Sequence, residues 1–299
     1  RRMNSSLHIG TGLIVAFIFA GIPAWGAEGD CGMFLSKSAG FEHSCIKWDD
    51  NKVSHVDGVL NGLSERLGID VLCTKDASLI TADNLAKYKV VIFYTTGDLT
   101  TEGTDGYPAM KSNGVDDLLA WVSNGGGFVG FHCASDTFHT PENGPVTPFI
   151  DMVGGEFRNH GKQFEGIVKV VDAGHPTMAS LPAEWTILDE WYLFRNFNVD
   201  DMHVLAVLDP GPERANQEMY QVPAYPIAWC SAYGKGRVFY NAMGHREDVW
   251  DNPTFQQHVV DAVRWAKGEG ETGAAPNFAQ VMTAEDAAIA QGMAPEKKE

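Results

Sequence analysis

Asn124-Gly125-Gly126-Gly127-Phe128-Val129-Gly130-Phe131-His132-Cys133-Ala134-Ser135-Asp136-Thr137-Phe138-His139 decides the fold. The leading glycines permit backbone conformations that other residues resist, so they read as a tight turn. Gly127 to Phe131 is a short apolar run without clean alternation, as expected of a strand covered on both faces. The chain then breaks abruptly into polar residues. His132, Cys133, Ser135, Asp136 and His139 therefore fall together just beyond the carboxyl end of a strand, where open α/β sheets place their ligands.

Working outward, the same alternation of apolar runs and helical spacing recurs. Cys31 to Ser36, Ile69 to Cys73 and Val90 to Tyr94 read as strands. Helical spacing runs from Ser44 to Leu67 (Ile46, Val53, Val56, Leu60, Leu63, Leu67), stopped by Gly68, and again over Leu79–Tyr88 and Val115–Ser123. Strand and helix in turn predict a parallel sheet with covering helices and right-handed crossovers. Beyond residue 160 the texture becomes strand-rich: Phe164–Val171, Met202–Leu208, Pro226–Tyr233 and Arg237–Ala242. A closing helix is expected over Phe255–Ala266 behind Asn252-Pro253. The expectation is one α/β domain over residues 28–268 and a small, polar tail over 269–299.

The chain has 299 residues, 44% of them apolar, and a formal net charge of −17. That composition supports a large core and opposes binding to nucleic acid, whose phosphates require a basic surface. Arg1-Arg2, the apolar run Leu13–Gly21 and small residues around Ala24-Trp25-Gly26 have the three parts of a secretory signal peptide, expected over residues 1–26. This implies a secreted or periplasmic chain with no membrane span after cleavage; an uncleaved N-terminal anchor is the alternative. Export permits disulfides, and Cys31 with Cys45 is a candidate pair among five cysteines.

His132 stands where a nucleophile elbow stands in hydrolases and amidotransferases. An imidazole there points to proton or metal chemistry rather than acyl transfer. A thiol nucleophile at Cys133 is the less favoured alternative, since it needs a nearby base and a lowered pKa. Several histidines at strand ends, His132 and His245 foremost, with a carboxylate such as Asp136, would suit a divalent metal such as zinc, or a metal-free acid and base. Neither spacing matches a tight ligand motif. His245-Arg246-Glu247 also offers a base with an acid two residues on. In Asp189-Glu190-Trp191-Tyr192, carboxylates beside aromatics suit a sugar. Because adjacent side chains diverge along a strand, only one of the two acids need face a site. Lys37 and Arg158 are candidate cations for an oxyanion.

Leu35–His43, Thr95–Asp98, Gly125–Asp136, Val153–Phe157, His175-Pro176, Asp189–Tyr192, His203–Ala206, Pro226–Trp229 and Gly236–Tyr240 with Gly244-His245 resemble the trehalose-utilisation (ThuA-like) family across residues 31–268. The resemblance implies a class I glutamine-amidotransferase-like fold, a flavodoxin-like sandwich with a mostly parallel central sheet. His132 would replace the amidotransferase thiol, with His245 and Glu247 at the places of the histidine and acid, so glutaminase activity is not expected. It further implies carbohydrate catabolism, with oxidised 3-keto glycosides as substrates for elimination, hydrolysis or isomerisation. A non-catalytic carbohydrate-binding module on the same scaffold is the alternative. On this basis His132, Asp136 and His245 are the expected catalytic residues and His132 and His245 the expected metal ligands. Lys37, His43, His160, Gln163, Glu190 and Tyr192 are the expected contacts to a small carbohydrate.

Overall fold

A computed structural model describes residues 31–293; the expected leader over residues 1–26 lies outside them. The central sheet has nine strands. They are β1 (Cys31–Leu35), β2 (Asp70–Thr74), β3 (Tyr88–Phe93), β4 (Gly127–Phe131), β6 (Phe164–Val170), β7 (Glu184–Asp189), β9 (His203–Asp209), β10 (Tyr225–Tyr233) and β11 (Gly236–Asn241). Their order is β2-β1-β3-β4-β11-β10-β9-β6-β7. The first five run parallel; from β11 onward the pairing is antiparallel. A separate antiparallel pair, β5 (Glu156–His160) and β8 (Tyr192–Arg195), stands beside this sheet.

The opening motif folds as its composition dictates. Gly125 takes a left-handed turn at φ 119°, and a Cβ on Gly127 would lie 2.4 Å from the carbonyl oxygen of Ala266. The closing helix Pro253–Ala266 therefore packs on β4 only because that position has no side chain. Phe128, Val129 and Phe131 are fully buried.

Two local expectations need correction. The periodicity over 44–67 yields a 3₁₀ turn at Ser44–Ile46 and, only after a break, helices at His55–Gly62 and Ser64–Leu67. The Asp49 carboxylate accepts from the backbone N–H groups of Asn51 and Val53, and Lys52 is left-handed at φ 59°. Side-chain capture of backbone donors thus competes with the helix, which restarts where Ser54 and Asp57 form a capping box. The stretch Leu79–Tyr88 likewise holds only a short turn and the helix Ala82–Leu85 before β3 begins. Cys45 carries a free thiol beside the Tyr94 hydroxyl, so the candidate pairing with Cys31 is not made.

The segment after residue 268 docks on the domain. Arg237 donates to the carbonyls of Glu269 and Gly270, and His203 Nδ1 to that of Ala275 at 2.6 Å. The Asn277 side chain bonds both backbone groups of Val204. Phe278, Met282, Ala287 and Ala290 are buried on the helices Phe278–Val281 and Ala284–Ala290. No helix among the described residues is long and apolar enough to cross a membrane.

Candidate active site and metal centre

Because β1, β3, β4 and β11 are adjacent and parallel, the chain leaves all four at the same rim. His43 follows β1, His132 follows β4 and His245 follows β11. Glu190 joins them from the link between β7 and β8. One ligand atom from each of His43, His132, Glu190 and His245 lies within 4.8 Å of the others.

His132 is held in the left-handed region at φ 43°, a conformation that costs a residue with a β-carbon about 1–3 kcal/mol and persists where the surroundings enforce it. Its carbonyl accepts from the Tyr240 hydroxyl at 2.6 Å, and its Nδ1–H donates to the carbonyl of Ala242 at 2.8 Å. A carbonyl only accepts, so the proton of a neutral His132 sits on Nδ1 and its Nε2 presents a lone pair. That Nε2 lies 3.3 Å from His245 Nδ1 and 3.6 Å from Glu190 Oε2, while His245 Nδ1 is 3.0 Å from the same oxygen. A fixed lone pair aimed at a carboxylate and a second imidazole requires a proton or a cation between them. Ligands bound to zinc at about 2.0–2.2 Å in a tetrahedron stand roughly 3.3–3.6 Å apart, which two of the three separations match.

His43 completes the set. Its ring stands edge-on to His132 and His245 at centroid distances of 5.0 and 5.1 Å. Nε2 is 3.4 Å from the Tyr192 hydroxyl, and the buried Nδ1 has no hydrogen-bond partner among the described residues. Burial, reinforced by the two neighbouring imidazoles, pushes its pKa down to about 2, so His43 is neutral and able to ligate. Burial alone would raise the Glu190 carboxyl, but His132 and His245 more than reverse this and hold it well below the usual carboxylate range. Three imidazoles, one carboxylate and an unpartnered buried nitrogen fit a divalent ion.

The cavity over this cluster has a volume of about 240 Å³ and is lined by Phe41, His43, Asp136, Phe157, His160, Glu190, Tyr192 and His245. Of the residues expected from sequence, His43, Asp136, His160, Glu190, Tyr192 and His245 line it together, with His132 buried directly beneath. His160 Nδ1 lies 3.2 Å from Glu190 Oε1 and donates to the carbonyl of Gly161 at 2.9 Å. The two neighbouring acids diverge. Glu190 faces the cavity, whereas Asp189 is buried beneath, its carboxyl raised by burial, accepting from the backbone N–H of Gly244 at 2.7 Å.

Other expectations fail for clear reasons. Lys37 is wholly buried, donating to Asp105 at 3.0 Å and to the carbonyls of Glu102 and Tyr107, so it braces the rim loop and cannot reach a ligand. Gln163 lies outside the cavity and accepts from Arg246. Glu247 is not the orienter of His245: it accepts from Ser44 at 2.6 Å, and Glu190 takes that place. Trp191 is buried and donates to the carbonyl of Phe164, so it is no sugar platform. Burial raises the Cys133 thiol well above its ordinary value, which removes it as a nucleophile. Phe41 and Phe157 are the lining residues that sequence reasoning missed. Both lie inside stretches that carry the family resemblance, Leu35–His43 and Val153–Phe157, where a lone aromatic gives no periodic signal.

The family model for trehalose utilisation, ThuA, matches residues 33–266. The chain belongs to the ThuA family. Among solved structures, this ThuA chain is similar to a putative ThuA-like protein from Bacteroides uniformis, with 22% identity and a TM-score of 0.62 over 86% of this chain and 99% of the other. It is also similar to one from Parabacteroides merdae, with 18% identity and a TM-score of 0.57 over 84% and 95%. At these identities the likeness concerns the fold, and it agrees with the α/β, flavodoxin-like architecture. No curated protein matches the chain. Family membership ties the protein to carbohydrate use.

Proposed function

We propose that this ThuA protein is a metal-assisted enzyme acting on oxidised, 3-keto glycosides. The observation that carries the reading is the convergence of His43, His132, Glu190 and His245 beneath a small cavity that also holds a further carboxylate, Asp136. A divalent ion held by those four residues would supply a Lewis acid able to hold negative charge developing on a sugar oxygen. As ligands, the three histidines cannot also act as bases, so proton transfer falls to Asp136. A ketone at C3 acidifies the C2 proton. Asp136 takes that proton; the C–H electron pair forms the C2=C3 bond and the charge moves to the ketone oxygen. This step is common to elimination of the C1 substituent and to isomerisation.

The cavity size supports a single sugar ring, since pockets for drug-sized ligands run about 300–1,000 Å³. Phe41 supports a second contact: it is 68% exposed at the cavity edge, on a loop pinned by Thr96. An immobilised, solvent-facing ring beside polar groups suits the apolar face of a sugar or aglycone.

The test is hydrogen exchange and turnover. Chain loaded in turn with zinc, manganese or cobalt is incubated in D₂O with 3-keto glycosides and their unoxidised parents, followed by NMR. Deuterium at C2 and consumption of the keto compounds alone are expected. A chain that leaves every keto glycoside unexchanged with every metal rules the reading out.

A further inference from the structure

Asp136 does not stand alone. Its carboxylate accepts from His139 Nε2. On the other side of the same ring, His139 Nδ1 donates to Glu156 Oε1 at 2.9 Å. Glu156 is fully buried on β5. It is held by Arg195 at 2.6 Å, by Asn196 at 2.7 Å and by the backbone N–H of Thr140 at 3.1 Å. With a carboxylate on each ring nitrogen, His139 must donate from both, so it is an imidazolium. A carboxylate buried with four donors is costly to build and fixes whatever it holds.

We infer that His139 and Glu156 are positioning residues for Asp136 in the reaction proposed above, forming an Asp136–His139–Glu156 relay that aims the carboxylate into the cavity and keeps it ionised as a base. The relay runs from the cavity, through a partly exposed imidazole, to a buried anchor on the β5–β8 pair. Because both His139 nitrogens already carry protons, the proton taken by Asp136 leaves through the cavity that Asp136 lines. The other titratable groups around Asp136 are Cys133 beyond β4, Tyr192 on β8 and Tyr240 on β11. Burial raises all three well above their ordinary values, so they stay neutral. The hydrogen bond to Asp136 raises His139 against the opposing effect of burial, in agreement with the geometry. The imidazolium persists below that raised value and is lost as pH climbs through it, when Asp136 loses its partner.

The inference rests on the carbohydrate reading, and two measurements on the metal-loaded full chain separate them. The first follows the His139 ring nitrogens by ¹⁵N NMR across pH in the wild type and in Asp136→Asn. His139 should hold its second proton to a higher pH in the wild type than an ordinary imidazole does, and its titration should fall in the variant. The second compares wild type with His139→Gln on a turned-over 3-keto glycoside. The variant should lose at least about tenfold in kcat, with KM little changed, and should lack the alkaline limb of the wild-type pH profile. A merely structural role would lower thermal stability and leave the limb in place. A His139 that titrates at its ordinary value and ignores Asp136→Asn, or a variant that retains kcat and the limb, overturns the relay. A wild type inert toward every keto glycoside removes the carbohydrate reading instead, and with it the catalytic role given to Asp136.

Discussion

Glu190 is the residue on which the cluster turns, because it touches three of the surrounding imidazoles, His132, His245 and His160. Replacing it by Gln keeps the shape and removes the charge. We expect Glu190→Gln to weaken zinc binding by at least about tenfold, a loss typical of a perturbed ligand set, measured by competition with a chromophoric chelator. Glu156 offers a pH test. Burial opposes its ionisation, but hydrogen bonds led by Arg195 pull its pKa down to about 2 from 4.5. A carboxyl lowered on folding adds stability above its unfolded value and loses it as pH falls through the folded one. Glu156→Gln should therefore destabilise the chain by about 3 kcal/mol near neutrality, and the gap to wild type should close between pH 4.5 and about 2. Denaturant titrations at several pH values check this. At this scale the sequence was legible where a residue followed a recognisable strand, as His132 and His245 do. It was opaque where partners come from separate elements. Nothing in the chain text joins His139 to Glu156, or prefers Glu190 over Glu247 as the acid beside His245.

The rim loops show why element boundaries were harder to read than element types. The apolar spacing over 44–67 was real, yet Asp49 diverted the backbone, and only the part after Ser54 became helix. Strands β5, β7 and β8 were not legible: β5 and β8 pair outside the main sheet and are broken by charged and aromatic residues, and β7 is an edge strand only partly buried. Lys37 was misjudged because loop lysines are usually solvated. Here the loop folds over it, and the Asp105 carboxylate both neutralises it and accepts from the N–H of Ser38 at 2.6 Å. Removing one partner leaves a buried charge uncompensated. Lys37→Met should cost about 3–5 kcal/mol in denaturant unfolding, while the folded fraction keeps the wild-type zinc affinity. A variant with unchanged stability and lost zinc or sugar binding would restore Lys37 to the site.

Across the whole molecule, the parallel order β2-β1-β3-β4-β11 brings His43, His132 and His245 to one rim from positions far apart in the chain. The alternation of strand and helix foretold a parallel sheet with the site at its carboxyl rim, but not the strand order, because β11 lies in a strand-rich stretch that reads as a hairpin. The docked tail was not legible either, since its small residues lack a strong pattern. Deleting residues beyond 268 would remove Phe278 and Met282, which are now buried, and uncover the surface they pack against. At about 1.5–3 kcal/mol for each large side chain, the shortened chain should be less stable by roughly 3–6 kcal/mol, seen as a lower thermal midpoint. The claim beneath all of this is that the four-residue cluster is a metal centre. Its direct test is elemental analysis of the wild-type chain and a His43→Ala/Glu190→Gln variant, each equilibrated with zinc, manganese and cobalt and then desalted. The structure predicts about one equivalent of divalent metal on the wild type and almost none on the variant. A wild type that emerges metal-free from all three, or a variant that retains as much as the wild type, would contradict it.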